Sequence, residues 1–212
     1  MVSRRAFLRA AYSSGLASVF TVLQAVPVSV PVNREVYLIA GQSNAQGRGF
    51  LSELPYLFPH DRVVMYRAGT WIPASEPTYD GPLTDVGVGP GLAFGTTLAQ
   101  LRKNVSVGLV NGAYGGTSLA DWARSSDPTS LYGALIQRAL VAAKWGSIKG
   151  LVFDQGESNA MTTYAVANGW DVGFPQLVAD IRSDLGLPNL PVVFAIKRNN
   201  PNLSAFPYWD TM

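Results

Sequence analysis

Val36-Tyr37-Leu38-Ile39-Ala40 runs directly into Gly41-Gln42-Ser43-Asn44-Ala45-Gln46-Gly47. The first five residues are apolar with no alternation, the pattern of a strand buried on both faces of a parallel sheet. A turn of Gly, Asn and Gln follows at once and carries a serine. A serine displayed at a strand tip is a candidate nucleophile, and a nucleophilic serine needs a base, most often histidine. His60 is the only histidine in the 212 residues. It stands in Phe58-Pro59-His60-Asp61, just ahead of the next strand, so it is expected as a surface turn residue at the opposite end of the sheet. Asp61 beside it is not expected to face it, because adjacent side chains rarely do.

Working outward, apolar runs alternate with helical patterns. Strands are expected over 35–40, 62–66, 106–111, 150–154 and 191–196, and helices over 91–101, 131–144 and 173–184. In the second helix Leu131, Leu135, Ile136, Ala139, Leu140 and Ala143 recur at helical spacing and form its expected buried stripe. Strands separated by helices imply an α/β fold with a mainly parallel sheet. Functional groups in such sheets gather beyond the carboxyl ends of the strands.

Three loops meet that rule. After the first strand comes the Ser43 turn. After the 106–111 strand comes Asn111-Gly112-Ala113-Tyr114-Gly115-Gly116-Thr117-Ser118, with Trp122 close behind. After the 150–154 strand comes Asp154-Gln155-Gly156-Glu157-Ser158-Asn159. Glycines let a backbone approach a ligand closely, and amides and hydroxyls donate hydrogen bonds. An ester carbonyl under attack develops an oxyanion that preorganised donors must meet. Ser43 N–H, an N–H from Gly115 or Gly116, and the Gln155 amide are the candidate donors. Each has a plain alternative: Gly115-Gly116 as a tight turn, Gln155 as a satisfied buried amide. Glu157 either orients the Ser43 loop or caps the helix after it. Trp71 and Trp122 are candidates for stacking on a sugar ring, or for packing at the core edge.

Bulk composition narrows the classes. The chain length suits one domain with a proper core, and 48% hydrophobic with 14% charged residues suits a globular chain. The net charge is +2, and Arg4, Arg5 and Arg9 carry the excess, so no nucleic-acid surface is implied. With no cysteine, disulfides, thiolate metal sites and cysteine catalysis are excluded. No His or carboxylate cluster has metal-ligand spacing, and no cofactor is expected. Gly87-Val88-Gly89-Pro90-Gly91 lacks the spacing of a dinucleotide loop and reads as a turn into a helix.

Ser3-Arg4-Arg5-Ala6-Phe7-Leu8-Arg9 closely matches a twin-arginine export signal, and the stretch behind it to Asn33 is uncharged and moderately apolar. Residues 1–31 are therefore expected to engage the twin-arginine translocase, with the mature domain, 32–212, working in the periplasm or outside the cell. A retained membrane anchor is the alternative for the same stretch.

Gly41-Gln42-Ser43-Asn44, then Gly115-Gly116-Thr117-Ser118 with a following Trp, then Gln155-Gly156-Glu157-Ser158 resemble the three blocks of SGNH-type esterases. The nearest branch is the sialate O-acetylesterase and acetylxylan esterase group, carbohydrate esterase family 6. The segments around Tyr66–Trp71, Gly89–Phe94 and Phe206–Asp210 resemble it too. The resemblance implies a three-layer α/β/α domain with a mainly parallel sheet and an exported esterase acting on acetylated carbohydrate. It also implies that Ser43 is the nucleophile, that Gly115 or Gly116 and Gln155 line the oxyanion hole, and that Glu157 fills the acidic position. Two departures stand out. Asp154 replaces a common histidine, and the closing Asp-x-x-His block has no match before Met212. The expectation is a truncated chain lacking the last helix and catalytic loop, with little or no activity. A carbohydrate-binding pseudo-hydrolase and a lipid esterase are the alternatives.

Overall fold

The computed structural model describes residues 33–54, 60–195 and 206–212. The expected export signal lies outside the described residues. Within them, six strands make one sheet in the order β3-β2-β4-β1-β5-β6. They are β1 (Arg34–Gly41), β2 (Val63–Arg67), β3 (Thr70–Pro73), β4 (Ser106–Asn111), β5 (Ser147–Asp154) and β6 (Val192–Phe194). β1 pairs in parallel with β4 and β5, β2 with β4, and β5 with β6; β2 and β3 alone are antiparallel.

The apolar run places β1 at the centre because both of its faces need cover. Val36, Leu38 and Ala40 point to one side, where α3 (Leu131–Ala142) and α6 (Trp170–Leu185) close over them with Trp122, Phe153, Leu135, Ala139, Phe174 and Ile181. Tyr37 and Ile39 point to the other side, against α2 (Pro90–Leu101) through Leu92 and Ala99, with Met65, Val107 and Leu109 from the neighbouring strands. This is a three-layer α/β/α arrangement around a mostly parallel sheet.

Expectation and structure differ at definite places. β3 was not foreseen. It returns from β2 through Ala68 and Gly69, both at positive φ (48° and 83°), with Arg67 opposite Thr70. Such two-residue turns are usually announced by Asn-Gly or Asp-Gly, and an alanine in the first position hides the signal. β5 begins at Ser147 and α6 at Trp170, three residues ahead of the sequence boundaries. In α3 the buried stripe is Tyr132, Leu135, Ala139 and Ala142, while Leu140 is exposed. The stripe starts one residue later than expected because Tyr132 turns inward, its hydroxyl donating to Asp184 at 2.6 Å.

His60 precedes the amino end of β2, at the end of the sheet away from the three loops. Contrary to expectation, it does meet its neighbour: Nδ1 lies 3.0 Å from Asp61 Oδ1. The same nitrogen is 3.2 Å from the Arg62 N–H, as in a local turn.

A buried polar group closes the amino end of β1. Glu35 takes Arg102 Nη2 at 2.8 Å on one oxygen and the Tyr37 hydroxyl at 2.8 Å on the other. Burial first, and then the adjacent carboxylate, push the Tyr37 phenol up to about 12. The unfolded phenol ionises near 10, so the folded state favours the protonated form. Its contribution is complete below about pH 10 and lost as the pH rises toward 12. Chemical denaturation across that window is expected to show falling stability, with a shallower fall in Tyr37→Phe. An unchanged slope in the variant would remove Tyr37 from the account.

Candidate active site

The Ser43 turn begins with a position only glycine fits. Gly41 has φ +121°, and a Cβ there would lie 2.1 Å from the Asp154 carbonyl oxygen. The close approach brings the ends of β1 and β5 together, and Gln42 N–H donates to that same carbonyl at 2.8 Å. Ser43 then opens α1 (Ser43–Gln46), a single turn. Its N–H has no acceptor among the described residues, as is normal for the first turn of a helix.

Below the turn lies a network of buried amides. Gln42 Oε1 accepts from Gln155 Nε2 (3.2 Å), Gly156 N–H (3.3 Å) and Ser158 N–H (3.3 Å). Two backbone donors therefore settle which way the Gln42 amide points. Gln155 Nε2 also faces the Thr117 carbonyl (3.2 Å) and Asn159 Oδ1 (2.7 Å), while its oxygen accepts from Trp170 Nε1 at 2.8 Å. Asn159 Oδ1 accepts in addition from Leu119 N–H at 2.9 Å. The two N–H bonds of Gln155 thus face three acceptors on all three loops. Of the two readings of this residue, the geometry is that of the satisfied buried amide.

The loop after β4 is held from beneath by Asn111. Its Nδ2 donates to the Ala45 carbonyl and Thr78 Oγ1, each at 3.1 Å, and its Oδ1 accepts from Ala113 N–H at 3.1 Å. The two glycines then part company. Gly115 N–H donates to Gln46 Oε1 at 3.1 Å, so it is occupied. Gly116, at φ +78°, directs an N–H that meets no acceptor among the described residues. Glu157, the first residue of α4 (Glu157–Thr162), accepts from Asn44 Nδ2 at 2.5 Å. It touches the Ser43 loop, while the N-cap of the helix is Gly156, so Glu157 is a first-turn residue and not the cap.

The two candidate tryptophans are placed differently. Trp122 is 1% exposed, packs edge-on to Phe153 with centroids 6.0 Å apart, and donates its N–H to Thr117 Oγ1 at 3.3 Å. Trp71 lies on the edge hairpin, where the Arg34 guanidinium sits 4.7 Å from its ring centroid. The ring presses on Gly108, where a Cβ would come within 2.7 Å of it. Arg34 begins β1, so this ring serves the amino half of the sheet. The core claims Trp122, because burial of a ring outweighs its exposure on a rim, while Trp71 stays partly buried against it.

Sequence reasoning assigned no role to Gln42, Gln46, Arg48, Asn111 or Asn159. All but Arg48 lie within the quoted loops, and for Gln42, Gln46 and Asn111 the signal was an amide next to a glycine. Among the described residues, no group of three or more His, Asp or Glu side chains converges as a metal site, and no helix is long and apolar enough to cross a membrane.

A mostly parallel three-layer sheet, with a serine turn at the carboxyl end of its central strand and two glycine-rich loops beside it, defines the class of SGNH-type esterases. Within that class the chain belongs to the family described as carbohydrate esterase, sialic acid-specific acetylesterase, matched over residues 33–207. It is 30% identical over 183 residues to a probable carbohydrate esterase from Arabidopsis thaliana, covering 77% of this chain and 68% of that protein. The X-ray structure of that Arabidopsis protein superposes with a TM-score of 0.73 at 27% identity, covering 84% of this chain and 77% of the other. The crystal structure of NanS shares the fold, with a TM-score of 0.64 at 23% identity, covering 84% of this chain and 72% of the other.

Removing the Gln42 side chain strands two backbone donors, the Gly156 and Ser158 N–H groups, and takes one of three acceptors from Gln155 Nε2. Gln42→Ala is expected to cost about 3 kcal/mol, measured by urea denaturation. A cost below about 1 kcal/mol would show that water replaces the amide oxygen without loss.

Proposed function

We propose that this chain is a serine esterase of the exported type that removes O-acetyl groups from carbohydrate. The observation that carries this reading is the pair of N–H groups, of Ser43 and Gly116, without acceptors among the described residues, on two loops that the Gly115 to Gln46 bond of 3.1 Å joins. In the proposed reaction Ser43 Oγ attacks the acetyl carbonyl carbon and the carbonyl oxygen takes the negative charge. The two N–H groups meet that charge. Collapse breaks the bond to the sugar oxygen, which leaves with a proton as the alcohol. Water then attacks the acetyl-serine and releases acetate. Gln155 acts as a positioning residue that ties the three loops, and Glu157 steadies Asn44 next to Ser43.

The serine proton is the difficulty. The single histidine of the 212 residues, His60, stands at the amino end of β2. A serine esterase without its base keeps only the roughly 10³–10⁴-fold acceleration of hole and binding. His60 is therefore not placed to serve Ser43, and a carbohydrate-binding pseudo-hydrolase using the same cleft is the second reading. One experiment separates the two. Acetate release from an O-acetylated sugar is followed by NMR, with and without added imidazole, for the chain and for Ser43→Ala. Release close to background is expected without imidazole, with imidazole restoring turnover in the chain and not in Ser43→Ala. Equal rates for both proteins under both conditions would remove Ser43 as nucleophile and leave the binding reading.

A further inference from the structure

We propose that the amino end of the sheet is a docking surface for an anionic phospholipid bilayer. The strand order sets the starts of β2, β4, β1 and β5 side by side, and each start brings basic residues. Arg62 precedes β2, Arg102 and Lys103 precede β4, Arg34 opens β1, and Lys144 and Lys149 flank the start of β5. Short contacts hold these starts together. Val107 N–H donates to the Arg62 carbonyl at 2.8 Å and Ser106 N–H to the Asn33 carbonyl at 3.2 Å. A Cβ on Gly146 would lie 2.7 Å from the Arg34 carbonyl oxygen. Neighbouring strands are about 4.8 Å apart, so the row of cations is roughly 15 Å long.

Most of that charge is uncompensated. Glu35 and Asp61 are the carboxylates of these stretches. Glu35 is taken by Arg102 at 2.8 Å, and Asp61 lies 3.0 Å from His60. Arg34, Arg62, Lys103, Lys144 and Lys149 have no carboxylate within ion-pair distance among the described residues. Arg62 is fixed by the neutral carbonyls of Ala99, Arg102 and Val105, and Arg34 by the face of Trp71. Lys103, Lys144 and Lys149 are exposed. A generally basic chain is not the cause, since the net charge of +2 becomes −1 once Arg4, Arg5 and Arg9 are set aside. A positive field concentrated at one end of a domain selects an anionic partner.

Two observations favour a bilayer over a soluble anion. The uncharged stretch that begins at Ala10 ends at Asn33, so the chain enters the domain at this end. A stretch of that length suffices to enter a bilayer, and the row of cations comes next. Trp145 stands between Lys144 and Lys149 and is 52% exposed. Tryptophan is enriched at headgroup depth, where lysines reach up along their apolar stems. The Ser43 turn lies beyond the other end of β1. The eight residues of that strand separate the two by roughly 25 Å, so a domain resting on this surface turns its proposed ester site toward solution.

Partition of the full chain onto phosphatidylcholine vesicles, with and without phosphatidylglycerol, tests the surface. The triple variant Lys103→Gln, Lys144→Gln, Lys149→Gln removes exposed charges only. It is expected to weaken partition onto the anionic vesicles about a hundredfold, at about fivefold per lysine, and to leave partition onto neutral ones unchanged. Brominated acyl chains in the anionic vesicles are expected to quench Trp145 fluorescence, and Trp145→Phe to lose that quenching. A triple variant that partitions like the wild-type chain, or quenching that is absent or survives Trp145→Phe, would overturn the proposal. So would binding to soluble heparin that the triple variant loses while lipid leaves Trp145 unquenched, because the lysines would then serve a soluble polyanion. The stretch before Asn33 is the same in every variant, so the differences report the sheet end alone. Failure here leaves the esterase reading untouched, because neither depends on the other.

Discussion

The side-chain oxygen of Gln42 lies under the carboxyl ends of β1 and β5, where it accepts from one side-chain amide and two backbone N–H groups at 3.2–3.3 Å. It is out of reach of water, with Gln42 3% exposed. In such surroundings an unmet donor is costly and a met one is strongly oriented. The oxygen therefore constrains three chain segments together: its own turn, the turn after β5, and, through Gln155 Nε2 and the Thr117 carbonyl, the loop after β4. Gly41 makes the constraint possible, since any side chain there would collide with Asp154.

What stands above that layer is small. Ser43 and the Gly116 N–H are presented on backbone whose lower side is fully bonded. Among the described residues these backbone donors are left without partners because neighbouring groups carry the structural load. Gly115 shows the division of labour. Its N–H is spent on Gln46, and the same amide oxygen holds Arg48, so the loop is braced by the contact that brings a positive charge to its edge. Electrostatics and geometry are then set by the same few atoms. Stabilisation that needs no reorganisation during reaction is the most effective kind.

How much of this could be read beforehand varied with the type of signal. The central strands were legible because burial on both faces leaves an uninterrupted apolar run, as in Val36-Tyr37-Leu38-Ile39-Ala40. The strand of residues 106–111 was placed to the residue. The hairpin partner β3 was not legible, because Ala68 at positive φ is a choice the turn imposes on a residue that does not advertise it. The stripe on α3 was misaligned at Leu140, because an apolar residue is free to remain outside when a tyrosine with a hydrogen-bonded partner takes the inward position. Trp122 was attractive as a stacking ring from its place after the glycine loop, yet it fills the core against Phe153.

By itself the sequence determined the fold class, the family and the three loops, because hydrophobic period and glycine placement are local properties written in consecutive residues. Tertiary structure alone decided which polar groups are spent and which are left over. Gln155 and Gly115 carry the same chemistry as Gln42 and Gly116 when written as letters. Only the positions of acceptors more than sixty residues away in the chain, such as Gln46 for Gly115 and Gln42 for Gln155, make one donor structural and another available. Hydrogen bonds are short-ranged and directional, so their partners are a fact of packing and not of order along the chain.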